Sequence, residues 1–375
     1  MTLKTLWYSE YEGEDRSWTL ESSDFVDFNL VVGRNATGKS RLVAVVSGLC
    51  QMLSGKNTSI FDSGHYKAEI ELGDTIYHWE LKMEQKNVIL ERLCVNGDLR
   101  MERGENGSGK IYYQAEDKFM SFQQQSDTMT LQQRRDALQH PYIVELADWA
   151  KGALTYFFNR SFTNTELVTL SFIRSTSNLG ENTTGEVIAA YARSFEKFGQ
   201  AYDEAIIADM KEIGYQLDDV GATNASALSI GFSVPDEVIA MFVVESDRPD
   251  HKISQGSMSQ GMFRALGLIC QINAAVFAKE HTLLLIDDIG EGLDYERSVA
   301  LLKVLMRHSQ ESKLQVILTT NDRFIMNTVP LENWSYLKRN MSSVHSYTSR
   351  NNPEKFESFK FLGLSNFDFF TSVDF

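Results

Sequence analysis

The sequence predicts an α/β fold in which a phosphate-binding loop is followed by an antiparallel β meander, a helical lobe and a second set of buried strands. Three observations predict it. The segment FNLVVGRNATGKSRLVAVVSGL carries the spacing G-x-x-x-x-G-K-[ST] from Gly33 to Ser40, between an apolar strand at 28–32 and an apolar helix at 42–49. Short runs of alternating polarity fill residues 66–115. Apolar strands at LLLI and QVILTT alternate with helices, the pattern of a parallel sheet covered on both faces.

The meander reads as YKAEIEL, TIYHWELKM, VILERLCV and KIYYQ, with breaks at Gly73, Asn96-Gly97 and Gly104 to Gly109. Residues 123–150 are Gln-rich and then apolar at helical spacing (Tyr142, Ile143, Leu146, Trp149). Beyond a polar loop at SNLGENTTGE, helical spacing from Val187 through Tyr191, Phe198 and Tyr202 to Ile206 predicts one helix over 186–213, roughly 40 Å long at 1.5 Å per residue. No heptads are sustained, so long coiled-coil arms are not expected. Strands at ALSIGFSV and VIAMFVVE, a helix at 260–279, the LLLI strand, a helix at 295–309 and the QVILTT strand complete the reading. The expected organisation is a discontinuous nucleotide-binding lobe (1–125 and 281–350), a helical lobe (126–280) and an aromatic tail (351–375).

Composition limits the function classes. With 43% hydrophobic and 23% charged residues the chain is an ordinary globular protein and not a disordered one. Lys and Arg number 36 against 51 acidic residues, a net charge of -15, the reverse of the balance expected where a whole surface coats nucleic acid. A local basic patch stays open, since fields depend on arrangement as well as sum. Cys50, Cys94 and Cys270 lie far apart with no ligand spacing, and read as small apolar residues. No membrane span and no signal peptide is evident, so the expected compartment is the cytoplasm and no membrane partner is expected.

The chemistry is concentrated in two places. In the loop, glycines let backbone amides face phosphates, the helix N-terminus adds positive charge, Lys39 neutralises β- and γ-phosphates, and the Ser40 hydroxyl can ligate Mg²⁺. A second match at Gly104 to Lys110 lacks the hydroxyl, has Ile111 instead, and is followed by a β-prone run, so it reads as a hairpin loop. In HTLLLIDDIGEGLD, Asp287 ends a buried strand as the expected Mg²⁺-side carboxylate, and Asp288 stands where a general base would activate water.

The order of these motifs resembles the ABC ATPase superfamily, in particular its RecF-like and SMC-like head domains, including short ATPases of bacterial anti-phage systems. GRNATGKS resembles the phosphate loop of that branch, with Ala36 where glycine is usual. Met258-Ser259-Gln260-Gly261 resembles the signature motif, LLLIDD the Mg²⁺-binding strand, and EGLD, ending at Asp294, the D-loop. The matches cover 28–49 and about 253–325.

The resemblance implies a P-loop NTPase fold of the ABC ATPase head type and a binding site for ATP and Mg²⁺. Gly33, Arg34, Asn35, Ala36, Thr37, Gly38, Lys39, Ser40 and Arg41 would form the nucleotide loop. Ser259 and Gly261 would contact ATP from a second copy in a head-to-tail sandwich, giving a homodimer or higher homo-oligomer, and Asp294 of the D-loop would also bind nucleotide. Ser40 and Asp287 would hold the metal, while Asp288, Lys39 and Asn321 would be catalytic. Aspartate at 288 stands where most of the superfamily has glutamate, and its carboxylate is set back by roughly 1.5 Å, which implies slow hydrolysis. Asn321 stands at the switch-histidine position and cannot carry a proton; Thr320 is a second candidate. Gln123 to Gln125, Gln132, Gln133 and Gln139 all compete for the Mg²⁺-ligating glutamine.

Arg100, Arg103, Arg134 and Arg135 read as solvated surface. The tail FESFKFLGLSNFDFF, with Phe375 beyond it, reads as packing back on the head, with docking of a partner subunit as the sharper alternative. The functional expectation is an ATPase switch that regulates a separate effector protein, in prokaryotic anti-phage defence. The alternatives are a RecF-like DNA-repair ATPase and a non-hydrolysing nucleotide-gated scaffold. DNA is admitted as a partner but not indicated by the net charge.

Overall fold

The computed structural model describes residues 1–157, 163–175, 184–228, 235, 237–360 and 364–372. Strands β1 (Thr2–Glu10), β2 (Trp18–Asp24) and β3 (Phe28–Gly33) lead into helix α1 (Lys39–Ser54). β3 is buried at all six positions, as its unbroken apolar run requires. The meander follows as β4 (Ser63–Leu72), β5 (Thr75–Glu84), β6 (Asn87–Val95), β7 (Asp98–Arg103), β8 (Ser108–Tyr113) and β9 (Lys118–Gln123), each antiparallel to the next. The four expected runs fall in β4, β5, β6 and β8. β7 and β9 add two strands whose charged or exposed residues hide the alternation.

A single turn, α2 (Thr130–Gln133), precedes α3 (Pro141–Lys151), which opens on a proline where no amide bond is lost. Next come β10 (Ala153–Phe157), β11 (Val168–Thr169), α4 (Leu170–Ser175), α5 (Thr184–Phe198) and α6 (Gln200–Ile213). The single helix expected over 186–213 is therefore two. Gly199 breaks it by taking φ 63 and ψ -148, a conformation that only glycine adopts readily. The chain continues through β12 (Leu217–Asn224), β13 (Val238–Glu245), β14 (Lys252–Ser254), α7 (Gln260–Ala278), β15 (Thr282–Asp287) and α8 (Tyr295–Glu311). It ends with β16 (Leu314–Thr319), α9 (Arg323–Thr328), β17 (Trp334–Asn340), β18 (Ser343–Tyr347), α10 (Pro353–Lys360) and α11 (Asn366–Ser372). Residues 177–183 of the expected polar loop, 229–234 of the expected ALSIGFSV strand, and Phe361 and Phe375 of the tail lie outside the described residues. Ala227, at the start of that expected strand, belongs to a 3-10 turn.

The chain forms two compact units: Met1–Ala153 with Ile317–Asn321 and Val329–Phe375, and Leu154–Val316 with Asp322–Thr328. In the first unit the strands run β3-β17-β18-β2-β1-β4-β5-β6-β7-β8-β9. β17 is parallel to β3 and β18 parallel to β2, so the sheet changes from mixed to wholly antiparallel as it enters the meander. Arg135 is not a solvated surface residue. Its guanidinium donates to Ser54 O and Leu53 O, at 2.6 Å each, and so serves the carbonyls at the end of α1. Arg103 is buried and donates to Thr128 O at 2.7 Å, near the buried Glu91 that accepts from the Thr130 and Leu131 amides. Arg134 stacks on Phe122 and Arg100 on Tyr112. The tail packs back as expected: Phe356, Phe359 and Phe369 are buried, with the Phe369 ring 6.1 Å from that of Trp334.

In the second unit β10, β15 and the start of β16 stand side by side, and a small sheet runs β11-β13-β12 with β14 on β13. Helix α7 is buried without interruption from Gly261 to Asn273. It is the one helix among the described residues long and apolar enough to cross a bilayer, and 72% of its most apolar window is buried within the protein. Asp209 of α6 ties it to α8: the carboxylate accepts from Asn273 Nδ2 at 2.7 Å and Arg307 Nη2 at 2.6 Å, and meets His308 Nε2 at 2.9 Å.

Candidate functional site

The Gly33–Ser40 loop belongs to the first unit. Gly33 ends β3 at a place with no room for a side chain, because a Cβ there would lie 2.6 Å from Thr37 Oγ1 and 2.9 Å from Leu337 O. Thr37 folds the loop back, its hydroxyl donating to Arg34 O at 2.8 Å and its amide to the same oxygen at 3.2 Å. Ala36 and Gly38 both take positive φ, 63° and 110°. Such alternation turns successive amides to one side and makes a concave anion-binding nest. Gly38 caps α1 without a side-chain acceptor, and no acidic residue lies in the first turn, so the helix dipole there is uncompensated by a carboxylate of its own first turn.

Lys39 is buried, and its ammonium donates to Gly33 O at 2.7 Å and Arg34 O at 3.4 Å, folded over the loop it would share with a phosphate. Arg34, Asn35, Ala36 and Ser40 are exposed. Arg41, placed with the nucleotide residues by sequence, pairs with Glu10 and stacks over the Trp18 ring at 4.4 Å. Burial above all, and the neighbouring Arg339 charge, pull its guanidinium below the ordinary value. In the same unit Thr320 is fully buried and Asn321 exposed, just beyond β16.

The other residues lie in the second unit. β15 is buried throughout and ends at Asp287. Asp288 follows with φ 61°, a left-handed conformation that aspartate tolerates better than most side chains. Gly290 and Gly292, also left-handed, carry the chain round to Asp294. Asp294 caps α8, accepting from the Arg297 amide at 3.0 Å and from its guanidinium at 2.9 Å. The backbone bond from Arg297, with that residue's charge, holds the Asp294 carboxyl below the usual carboxylate range.

The MSQG segment enters the same arrangement. Ser259 is the exposed N-cap of α7, its Oγ accepting from Met262 N at 3.2 Å. Gly261 sits so close to the Asp294 loop that a Cβ on it would lie 2.2 Å from Gly292 O. Arg264 Nη1 donates to Glu291 O at 3.0 Å, and Arg297 stacks on Tyr215 at 4.4 Å. The structure thus packs Gly261, two residues after the Ser259 cap, against the Gly292–Leu293 loop that leads into Asp294. Sequence reasoning missed what supports the MSQG segment. Buried Gln255 accepts from Met241 N at 2.8 Å and donates to Glu166 O, while Asn164 Nδ2 donates to Met258 O at 2.8 Å. Gln255 signals itself only as a polar residue beside a motif, which is common elsewhere in the chain, and Asn164, 94 residues before its acceptor, gives no signal.

The second glycine-lysine match is a hairpin connection between β7 and β8, with Lys110 inside β8 over the Phe119 ring. Among the competing glutamines, Gln132 donates to Met52 O and Asn57 O, Gln123 to Asn106 O, and Gln124 to Thr128 Oγ1. Among the described residues no group of three or more His, Cys, Asp or Glu side chains could hold a metal ion alone. Mg²⁺ prefers hard oxygens and is commonly held by one or two side chains together with substrate phosphates; the exposed Ser40 hydroxyl of the first unit and the Asp287 carboxylate of the second are each donors of that chemical kind.

No protein-family model matches the chain, and no curated protein matches it in sequence. Solved structures do match. An SMC head bound to the C-winged helix domain of ScpA aligns with a TM-score of 0.54 at 11% identity, covering 92% of this chain and 98% of that one. An SMC head domain from Thermotoga maritima gives 0.46 at 13% identity (93% and 99% covered). An Smc head domain with an extended coiled coil, bound to the C-terminal domain of ScpA derived from Pyrococcus furiosus, gives 0.48 at 10% (96% and 100%). On the first of these comparisons the chain has the fold of an SMC head domain, and at such low identity the likeness is one of fold.

Proposed function

We propose that the chain is an ABC-type head ATPase that binds ATP with Mg²⁺, dimerises around it and regulates a separate effector protein, in prokaryotic anti-phage defence and in the cytoplasm. The observation that carries this reading is the loop from Gly33 to Ser40: left-handed residues at 36 and 38, a buried lysine folded over it, and a helix start with no acidic residue in its first turn. Arg34, Asn35, Thr37 and Arg41 complete the nucleotide site of this reading. In this reading 1–125 and 281–350 act as the nucleotide lobe, 126–280 as the signature lobe and 351–375 as a tail.

The loop amides and Lys39 bind and orient the triphosphate. Ser40 and Asp287 are the residues that would hold Mg²⁺, which when bound neutralises charge developing on the transferred phosphoryl group. Asp288 accepts the proton of the attacking water, and Asn321 holds that water or a phosphate oxygen without exchanging a proton. The Ser259 hydroxyl, the Gly261 amide and Asp294 meet the nucleotide of a second copy. The close approach of Gly261 to the loop that leads into Asp294 supports a shared role. A separate partner is in keeping with the SMC head above, which is bound to a domain of another protein. The net charge of -15 does not favour the reading of a DNA-repair factor.

The test is molecular mass with and without ATP and Mg²⁺, for the unaltered chain and Asp288→Ala, with phosphate release followed in the same samples. ATP should drive dimerisation, and Asp288→Ala should accumulate the dimer while phosphate release falls by at least about a hundredfold. A mass indifferent to ATP, with no phosphate above background, overturns the proposal.

A further inference from the structure

We infer that Arg339, at the end of β17, is a positioning residue for the phosphate loop, holding the Ala36–Thr37 peptide so that the Thr37 amide is presented to phosphate. The inference rests on the reading above that this loop binds ATP. It starts from a local conflict. Ala36 is left-handed at φ 63°, a conformation that a β-carbon disfavours, so something outside the residue must hold it there.

Arg339 is one such support, beside the Thr37 hydroxyl and amide that bond Arg34 O. Its Nη1 donates to Ala36 O at 3.4 Å while its Nε donates to Met341 O at 2.8 Å, so the guanidinium is anchored to its own hairpin and reaches across to the loop. That hairpin is registered on the loop at two further points. β17 runs parallel to β3 with Leu337 opposite Gly33, and Leu337 O fills the space a Gly33 side chain would need. On β18, Val344 Cγ2 lies 3.6 Å from where a Gly38 Cβ would stand. Gly33 and Ala36 are therefore both met by one hairpin, while a Cβ on Gly38 would lie closer to Trp18 of β2, at 3.1 Å, than to Val344.

Peptide geometry turns this contact into a directional one. The Ala36 carbonyl and the Thr37 amide belong to one planar trans peptide and point in opposite directions, so a donor on the carbonyl fixes where the amide aims. The Thr37 amide now donates to Arg34 O at 3.2 Å, a long bond that a phosphate oxygen can replace. A charged donor also polarises the peptide and makes that amide a stronger donor. Arg339 touches no nucleotide in this scheme and acts through Ala36.

The experiment is calorimetric titration of ATP and of ADP, each with Mg²⁺, into the full chain. The variants are Arg339→Ala, Arg339→Lys, Arg339→Ala with Ala36→Gly, and Lys39→Ala as the loop control. Arg339 is exposed, so folding should survive its loss, and circular dichroism checks this. Arg339→Ala should weaken ATP and ADP alike by about tenfold. Arg339→Lys keeps the charge but cannot hold Met341 O and Ala36 O together in one planar group, so it should lose most of what Arg339→Ala loses, and full affinity in it would mark a bare charge effect and overturn the inference. Glycine at 36 should restore at least half of the loss on a logarithmic scale, since glycine takes the left-handed conformation without the β-carbon penalty. A folded Arg339→Ala that binds as tightly as the unaltered chain overturns the inference and leaves the ATP reading standing. So does a loss that Ala36→Gly does not repair, which would mark Arg339 as a distant electrostatic or structural residue. If the unaltered chain and Lys39→Ala both fail to bind nucleotide, the ATP reading fails and the inference with it.

Discussion

Gly261→Ala isolates the coupling between the start of α7 and the loop that ends at Asp294. The added methyl would lie 2.2 Å from Gly292 O, 2.9 Å from Gly292 C and 2.9 Å from Leu293 Cδ2. A carbon needs over 3 Å from a carbonyl oxygen, so one backbone must retreat by roughly 1 Å. Neither is free to do so cheaply, because Gly292 is left-handed and Glu291 O is held by Arg264. Overpacking of this kind costs about 1–3 kcal/mol. With a urea dependence near 2 kcal/mol per molar, a cost of about 2 kcal/mol lowers the midpoint by about 1 M. Gly256→Ala is the matched control, since its methyl would come no nearer than 3.9 Å to Asn164 O. Urea unfolding followed by circular dichroism, with the mass of the same samples measured with and without ATP to read the proposed dimer, gives both readouts. Gly261→Ala should lose stability and dimer together, and Gly256→Ala neither. Equal midpoints for the two variants would refute the packing argument.

Three further outcomes follow from the described contacts. Burial above all pushes the Asp203 carboxyl up to about 6, with Asp219 adding to the rise against the Tyr191 hydroxyl bond. A raised carboxyl favours the folded state below about pH 4 and loses that contribution as pH climbs through 6. Asp203→Asn should therefore gain about 1 kcal/mol at pH 7.5, after discounting for its partial exposure, and nothing at pH 3.5, as read from unfolding at the two pH values. Arg135→Ala strips two donors from the end of α1 and should cost about 1–2 kcal/mol in thermal unfolding. Phe369→Ala opens a space among Trp334, Phe356 and Phe359 and should cost about 3 kcal/mol, with near-ultraviolet circular dichroism reporting the change around Trp334.

What was legible in the sequence is what local spacing determines. The Gly33 to Ser40 loop, the period-two runs of the meander and the uninterrupted apolar strands each state their structure within a dozen residues. The break at Gly199 was not legible, because Tyr191, Phe198 and Tyr202 keep helical spacing across it and a lone glycine inside a helix is permissible. Arg103 and Arg135 misled for a different reason. A charged residue declares nothing about long-range carbonyls, and the partners that bury these two, Thr128 and the end of α1, lie 25 and 81 residues away. At the candidate site the motifs named Ser259, Gly261 and Asp294, but the hydrogen bonds of Gln255, Asn164 and Arg264 depend on contacts that no local pattern encodes.

The pairing of β3 with β17 also sets a schedule for synthesis. Leu30 stands opposite Trp334, so about 300 residues separate the strand that carries the phosphate loop from its parallel neighbour. At roughly 5–20 residues per second, a ribosome delivers β17 on the order of 15–60 s after β3. For that interval the run FNLVVG, fully buried in the finished protein, lacks the strand that covers its edge. The nascent chain is thus most vulnerable to sticking or to capture by chaperones while its middle is being made, and slow codons between residues 34 and 333 should lower the yield of native protein more than the same codons placed after 347.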